Sequence, residues 1–266
     1  MRIAQKFSEL KQQKKSAFVG YICAGDPNYE TSLEILKSMP QAGCDIIELG
    51  VPFLDPSGDG TIIENAAKRA IANGATLKKT LQMAAEFRKN DNKTPLVMMG
   101  YYNPILHYGL DKIFTDAQES GIDAMLIVDL PLEEEAEILP YITQTSVELI
   151  KLIAPTTTKE RAAQIVKNAG GFVYLISLLG ITGTKLAKAL DNLHNLQTIR
   201  QVTNLPIVIG FGIKTKEQID EFSKIGADGV VVGSEIVKTI NQQYSDKKTT
   251  DEIVAAVVKK ISGLRA

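Results

Sequence analysis

The feature that most constrains the fold is a repeat of short apolar segments, each followed by a stretch with helical spacing. The apolar segments run continuously rather than alternating, which is typical of parallel strands covered on both faces. Strands are predicted at residues 18–23, 45–51, 95–101, 124–129, 148–153, 172–176, 206–210 and 229–233. Helices are predicted at residues 3–13, 31–39, 76–89, 110–119, 133–143, 159–168, 216–224 and 251–261, with helix ends at Gly43, Gly121, Gly170 and Gly226.

The number of repeats predicts the architecture. Eight strand–helix units in about 250 residues are typical of an α/β protein with a closed (β/α)8 barrel, or TIM barrel. The sequence therefore predicts a single (β/α)8 barrel domain over residues 1–266, with an extra N-terminal helix and a short phosphate-binding helix after strand 8. An open, doubly wound sheet is the alternative.

Composition and charge narrow the class of protein. The formal net charge is −1, with 44% hydrophobic and 23% charged residues, so neither nucleic acid nor a membrane is an expected partner. The first residues lack the apolar core of a signal peptide, and the cytoplasm is the expected compartment. Cys23 and Cys44 fit no metal or disulfide pattern and are interpreted as small core residues.

Two carboxylates near the second strand are the candidate acid–base groups. Glu48 stands in the middle of an apolar strand, where a carboxylate is costly to bury unless it is paired, protonated or used. Asp59 follows in the next loop. Active sites of such barrels lie at the carboxyl ends of the strands, so both groups could approach one cavity and divide acid and base duties. A core hydrogen bond for Glu48 and a turn role for Asp59 are the alternative.

Glycine-rich turns after the last three strands predict a phosphate site. They are residues 180–184, 210–213 and 233–234. Free backbone N–H groups and a helix N-terminus favour an anion there, although simple turn geometry would also use glycine. His107 and His194 lack metal-ligand spacing, and no metal site is predicted.

These residues resemble the family of tryptophan synthase α subunits over nearly the whole chain. The most specific match is the stretch from Glu48 to Gly60, which is similar to the family signature (L/I)ELGxPFSDPxADG. Further matches are Gly25-Asp26-Pro27, Tyr101-Tyr102-Asn103-Pro104, Asp129-Leu130-Pro131, Gly180-Ile181-Thr182-Gly183, Gly210-Phe211-Gly212-Ile213 and Gly233-Ser234.

The resemblance implies a carbon–carbon lyase that cleaves indole-3-glycerol phosphate to indole and glyceraldehyde 3-phosphate. Glu48 would be the acid–base group, and Asp59 would face the indole N–H. The indole pocket would comprise Tyr21, Ile63, Met99, Tyr101, Leu126, Tyr174, Phe211 and Val231. Gly183, Gly212, Gly233 and Ser234 would hold the phosphate, and Thr182 would close over Asp59.

The resemblance also implies a partner. Indole would pass to a β subunit in an α2β2 complex for synthesis of L-tryptophan. This subunit would need no cofactor, and pyridoxal phosphate would be bound only by the β subunit. Partner contacts are expected at Pro52, Asp55, Pro56 and Pro131. A stand-alone lyase and a catalytically silent activator of the β subunit are the alternatives.

The chain departs from the family pattern at a few positions. Leu54, Gly58 and Thr61 replace the usual Ser, Ala and Pro around Asp59. Leu178 and Leu179 stand where many relatives carry an Arg. Gly58 is expected to make its loop more flexible, and an apolar contact between the two loops is expected among the three leucines.

Overall fold

The strands of this chain close into a barrel of parallel neighbours. A computed structural model describes residues 1–177, 185–210 and 212–265. The eight strands pair in sequence order, and β8 pairs with β1 to close the barrel. They are β1 Ala17–Cys23, β2 Ile46–Gly50, β3 Leu96–Gly100, β4 Ala124–Ile127, β5 Glu148–Ile153, β6 Val173–Ile176, β7 Ile207–Gly210 and β8 Gly229–Val232. The prediction of a (β/α)8 barrel is confirmed, and the open sheet is excluded.

Helices lie between the strands and at the N-terminus. They are α1 Arg2–Gln12, α2 Tyr29–Ala42, α3 Thr61–Ala72, α4 Leu77–Arg88, α5 Tyr102–Tyr108, α6 Leu110–Glu119, α7 Leu139–Ile142, α8 Lys159–Ile165, α9 Lys185–Arg200, α10 Lys216–Lys224, α11 Ser234–Ser245 and α12 Thr250–Arg265. Short 3-10 segments occupy Leu132–Glu137 and Val166–Asn168. None of the helices in the described ranges is long and apolar enough to cross a membrane.

Three local predictions were wrong. The helix expected at 133–143 is a 3-10 segment followed by the single turn α7, because Pro140 has no N–H and its ring clashes with a preceding carbonyl. The helix after β8 begins at Ser234 as expected but is not short, since it has 12 residues. Gly170 does not end a helix; the left-handed residue before β6 is Gly171, with φ 67°.

The barrel has an inner and an outer core because strand side chains alternate between two faces. On β2, Ile46 belongs to the inner cluster, and Ile47 and Leu49 belong to the cluster between strands and helices. Helix α1 adds apolar side chains to the inner cluster, where Phe7 and Phe172 have ring centroids 6.0 Å apart. The bottom of the barrel is thus filled, and an open cavity is left to the other end. Cys23 and Cys44 are both buried and free, as predicted.

Aspartates fix the amino ends of the strands. Asp45, Asp123 and Asp228 each accept the N–H of a neighbouring strand's first residues, at 2.9, 2.8 and 2.7 Å. Each also pairs with an arginine: Asp45 with Arg265, Asp123 with Arg88 and Asp228 with Arg200. Polar groups at this end of a barrel serve stability. Active sites of such barrels lie at the opposite end, where the strands end.

Candidate active site

Glu48 points into the barrel. Its strand neighbours Ile46 and Gly50 share this face, as the alternation along β2 predicted, and only 3% of Glu48 is exposed. Its Oε1 has no hydrogen-bond partner among the described residues. No core hydrogen bond therefore holds Glu48 through this oxygen among the described residues, and the alternative interpretation of Glu48 is not supported there.

Burial determines the protonation of Glu48. Loss of solvent raises its pKa to about 8, and the negative charge of Asp59 adds to the shift. A carboxyl group with this pKa is mostly protonated at neutral pH and can donate a proton. This is the property required of a general acid.

Asp59 is held over the same cavity by Tyr101. The Tyr101 hydroxyl accepts the Gly58 N–H at 3.1 Å and donates to the Asp59 carboxylate. Burial raises the pKa of Asp59 to about 6, and the bond from Tyr101 opposes that rise. Asp59 is thus mostly ionised at pH values where Glu48 is still protonated. The pKa of Glu48 is therefore higher than that of Asp59, which suits Glu48 to donate a proton and Asp59 to stabilise a positive charge.

Gly58 has a steric role in this loop. A methyl group on its Cα would lie 2.9 Å from Cγ1 of Val128, closer than real contacts allow. The described loop is therefore held by contacts on both sides. Leu54 is 59% exposed, and Leu178 and Leu179 lie outside the described residues. A contact among the three leucines remains a prediction.

A cavity of about 290 Å³ opens between the two acids and the ends of β7 and β8. Eight residues predicted for the pocket or the phosphate site share its wall with Glu48 and Asp59. They are Tyr21, Ile63, Met99, Tyr174, Gly212, Val231, Gly233 and Ser234. Gly60, Ile62, Ile213 and Lys214 complete the wall and were not predicted as lining residues. The first three each adjoin a predicted residue, and Lys214 follows the predicted turn at 210–213. The structure therefore brings the predicted acids, apolar residues and glycines to one place.

Some predicted residues stand elsewhere. Tyr101 does not form part of this wall but contacts Asp59. Leu126 is buried in the inner cluster, likewise away from the wall. Phe211, Thr182 and Gly183 lie outside the described residues.

Two tyrosines form the floor of the cavity. Tyr21 on β1 and Tyr174 on β6 are buried, and burial raises the pKa of both well above the usual value. Each phenol therefore stays neutral. Their hydroxyl groups occupy the space that a side chain on Gly50 or Gly210 would need. The floor is thus apolar ring surface with neutral polar ends, which suits a flat aromatic group.

Another part of the cavity wall is suited to an anion. Helix α11 begins here, and its N-cap Gly233 offers no side chain to its first-turn N–H groups. Gly212 has a φ of 75°, a conformation that glycine adopts without strain. Free amides at the start of a helix favour a phosphate group. No cluster of three or more potential metal-ligating side chains occurs in the described part of the chain.

The predicted partner contacts differ in exposure. Asp55 and Pro131 are exposed, Pro56 is half-buried, and Pro52 is buried. The first three are thus accessible at the carboxyl end of the barrel, while Pro52 contributes mainly to the shape of its loop.

A closed parallel barrel whose cavity holds a buried Glu of raised pKa and an Asp is typical of (β/α)8-barrel enzymes that use acid–base chemistry. The sequence profile of the family "Tryptophan synthase alpha chain" matches residues 7–264. The chain belongs to this family. It is a carbon–carbon lyase that acts on indole-3-glycerol phosphate in tryptophan biosynthesis.

Individual relatives agree with this assignment. The chain is 44% identical over 265 residues to the tryptophan synthase alpha chain of Gluconobacter oxydans, covering 100% of this chain and 98% of that one. The crystal structure of tryptophan synthase subunit alpha from Legionella pneumophila superposes with a TM-score of 0.89 at 34% identity, covering 99% and 97%. A chain of the tryptophan synthase a2b2 complex from Pyrococcus furiosus matches with a TM-score of 0.83 at 33% identity, covering 93% and 97%.

Proposed function

We propose that Glu48 and Asp59 divide the acid–base work of cleaving indole-3-glycerol phosphate. The raised pKa of the desolvated Glu48, facing a cavity that also holds Asp59, is the observation that carries this assignment. Glu48 donates its proton to the ring carbon that bears the glycerol side chain. Asp59 accepts a hydrogen bond from the indole N–H and stabilises the positive charge that the ring acquires.

The carbon–carbon bond then breaks. Glu48, now a carboxylate, takes the proton of the adjacent glycerol hydroxyl, and that carbon becomes the aldehyde of glyceraldehyde 3-phosphate. The bonding electrons return to the ring and regenerate neutral indole. Glu48 ends the cycle protonated, so the step needs no other proton donor.

The remaining residues bind and orient the substrate. The rings of Tyr21 and Tyr174 pack against the indole, together with Ile63, Met99 and Val231. Gly212, Gly233 and Ser234 hold the phosphate. The resemblance assigns Gly183 to the same group, Phe211 to the indole pocket and Thr182 to closure over Asp59. Binding energy from a group far from the reacting bond serves orientation. This chain supplies the chemistry from its own side chains, and pyridoxal phosphate is assigned to the partner.

Substitution of the two acids tests the assignment. We expect Glu48→Gln to lower indole release by roughly 100- to 10,000-fold, because the amide cannot donate a proton to carbon. Asp59→Asn should also lower it, because it removes the stabilising charge. Glu148→Gln is the matched control, because it makes the same change at a half-buried Glu far from the carboxyl ends of the strands. Glu148 is the first residue of β5, and it accepts the Gly171 N–H at 3.0 Å. Retention of most activity by the Glu48 variant would contradict the mechanism.

The proposed assembly is an α2β2 complex in the cytoplasm, with the chain forming one barrel domain. The relationship to chains of the Pyrococcus furiosus complex supports a β-subunit partner. Titration of the pure chain with β subunit separates the alternatives. Indole release unchanged by β subunit would indicate a stand-alone lyase, and no release at any ratio would indicate a silent activator.

A further inference from the structure

The charges around the cavity do not balance for the proposed substrate. A phosphate ester carries about −1.5 to −2 charges at pH 7. Asp59 adds a further negative charge when ionised. The glycine amides and the N-terminus of α11 offer only partial positive charge, about +0.5 for a helix end. A full cation near the phosphate would stabilise the bound dianion.

One described residue of the cavity wall carries a full positive charge. Among the fourteen described lining residues, Lys214 alone has a positively charged side chain. It stands two residues after Gly212, and Ser234 lines the same cavity. Lys214 therefore belongs to the part of the cavity wall that carries the residues assigned to phosphate.

The backbone of Lys214 is fixed while its ammonium group is available. Its N–H donates to Gln218 Oε1 at 2.7 Å, beside the capping box that Thr215 and Gln218 form at the start of α10. The side chain is exposed, and no described residue forms an ion pair with it. Its position is thus set by the helix start, and its charge is not consumed within the described protein.

The neighbouring acid is compensated. Glu235 lies in the first turn of α11, where a negative charge would oppose phosphate binding. Lys260 of α12 approaches Glu235 at 3.5 Å and offsets it. The charge of Glu235 is therefore offset by Lys260, and Lys214 is not needed to neutralise it.

The geometry points to Lys214 as a further binding residue, whose ammonium group pairs with the phosphate of the substrate and makes the site selective for phosphorylated glycerol chains. This inference rests on the proposed function, because it concerns the same cavity. It adds a side-chain cation to a site otherwise built from backbone amides and a serine. Lys214 takes no part in proton transfer.

The test compares Lys214→Gln, Lys214→Arg and the control Lys224→Gln, which removes an exposed charge at the far end of α10. Steady-state indole formation gives kcat and KM. Inhibition by inorganic phosphate and by indole gives separate affinities for the two ends of the cavity. All assays are repeated across a range of salt concentrations.

We expect Lys214→Gln to raise both KM and the inhibition constant for phosphate by roughly three- to tenfold, with a smaller effect on kcat. Lys214→Arg should restore most of the affinity. The inhibition constant for indole should not move, and neither should any constant of Lys224→Gln. The salt dependence of KM should be weaker in Lys214→Gln, because an ion pair has been removed.

Two results would overturn the inference. Unchanged KM and phosphate inhibition in Lys214→Gln would show that the charge does not reach the ligand. A parallel rise of the indole constant would show distortion of the whole cavity instead of a lost ion pair. Failure of the proposed function gives a different result: the wild-type chain would release no indole, while calorimetry with inorganic phosphate would still report the role of Lys214.

Discussion

Tyr101 connects the loop that carries Asp59 to the loop that follows β3. Its hydroxyl group bonds both the Gly58 N–H and the Asp59 carboxylate. Its ring also packs against Phe53, with centroids 5.5 Å apart. The same residue thus contacts both ends of the Phe53–Asp59 segment. The position and the pKa of Asp59 both depend on it.

Tyr101→Phe should therefore alter the pH profile as well as the rate. Loss of the hydroxyl removes a hydrogen bond that lowers the pKa of Asp59 from the value that burial alone would give. We expect that pKa to rise above its present value of about 6, so the acidic limb of kcat/KM moves to higher pH. The rate at neutral pH should fall by roughly tenfold.

The control for this prediction is Tyr244→Phe, an exposed tyrosine near the end of α11. It should leave both the rate and the profile unchanged. A Tyr101→Phe variant with an unshifted acidic limb would show that the hydroxyl does not influence Asp59 in solution.

Sequence patterns were informative for residues whose type conflicts with their surroundings. Glu48 could be predicted because burying a carboxylate in an apolar strand is costly unless the group is paired, protonated or used. The alternation of side chains along the strand then predicted that Glu48 points into the barrel. Asp59 followed from its distance along the loop and from the family resemblance. Lys214 could not be predicted in the same way, because an exposed lysine in a loop resembles any other. Its significance depends on which residues the fold places around it.

At the scale of elements, the two tyrosines of the cavity floor depend on glycines in other strands. A Cβ on Gly210 of β7 would lie 2.7 Å from Tyr174 Cε1 and closer still to its hydroxyl oxygen. Tyr21 has the same relation to Gly50 of β2. Neither glycine has a positive φ. Glycine is therefore needed at these two positions because the tyrosine side chain occupies the place of a Cβ atom, and not because of the backbone conformation.

Gly210→Ala should displace Tyr174 from the floor. We expect kcat/KM to fall by at least roughly tenfold, and the free energy of unfolding to fall by about 1–3 kcal/mol through overpacking. Activity assays and thermal unfolding measure the two effects.

Gly263→Ala is the comparison, because a Cβ at this position in α12 meets no atom within 4 Å. It should raise stability by roughly 0.5–1 kcal/mol and leave activity alone. If Gly210→Ala behaved in the same way, the tyrosine would not be confined by the glycine.

The strands were easier to predict than the helices. All eight were found because each is a continuous apolar run, buried on both faces. Three helices were not predicted, namely α3, α5 and α9. Helix α3 follows its N-cap Gly60 and α5 follows its N-cap Tyr101, and neither N-cap residue bonds its helix through a side chain. Without a capping side chain, no residue pattern marks where these helices start.

At the scale of the whole molecule, the barrel separates stability from chemistry. The aspartate–arginine pairs lie at the amino ends of the strands, and the cavity and the proposed docking loops lie at the carboxyl ends. Exposed Asp55 and Pro131 are on the catalytic side. A partner bound there would contact the segment that leads to Asp59 and could influence its position.

Asp55→Lys should weaken binding of the β subunit. Reversing an exposed interface charge is expected to lower the affinity by roughly tenfold, with a slower association rate at low salt. Glu119→Lys is the control, since Glu119 is exposed at the end of α6, which leads into the amino end of β4. Surface plasmon resonance at two ionic strengths measures the effect. Equal affinities of the two variants would place the interface elsewhere.

The pairing of each floor tyrosine with a glycine has an evolutionary consequence. A larger side chain at Gly50 or Gly210 is tolerated only after Tyr21 or Tyr174 has become smaller, and a smaller ring alone leaves a void. Single mutations that reshape the floor therefore pass through impaired intermediates. Adaptation to a different aromatic substrate would require coordinated changes on separate strands, so the shape of this floor should diverge slowly among descendants of this chain.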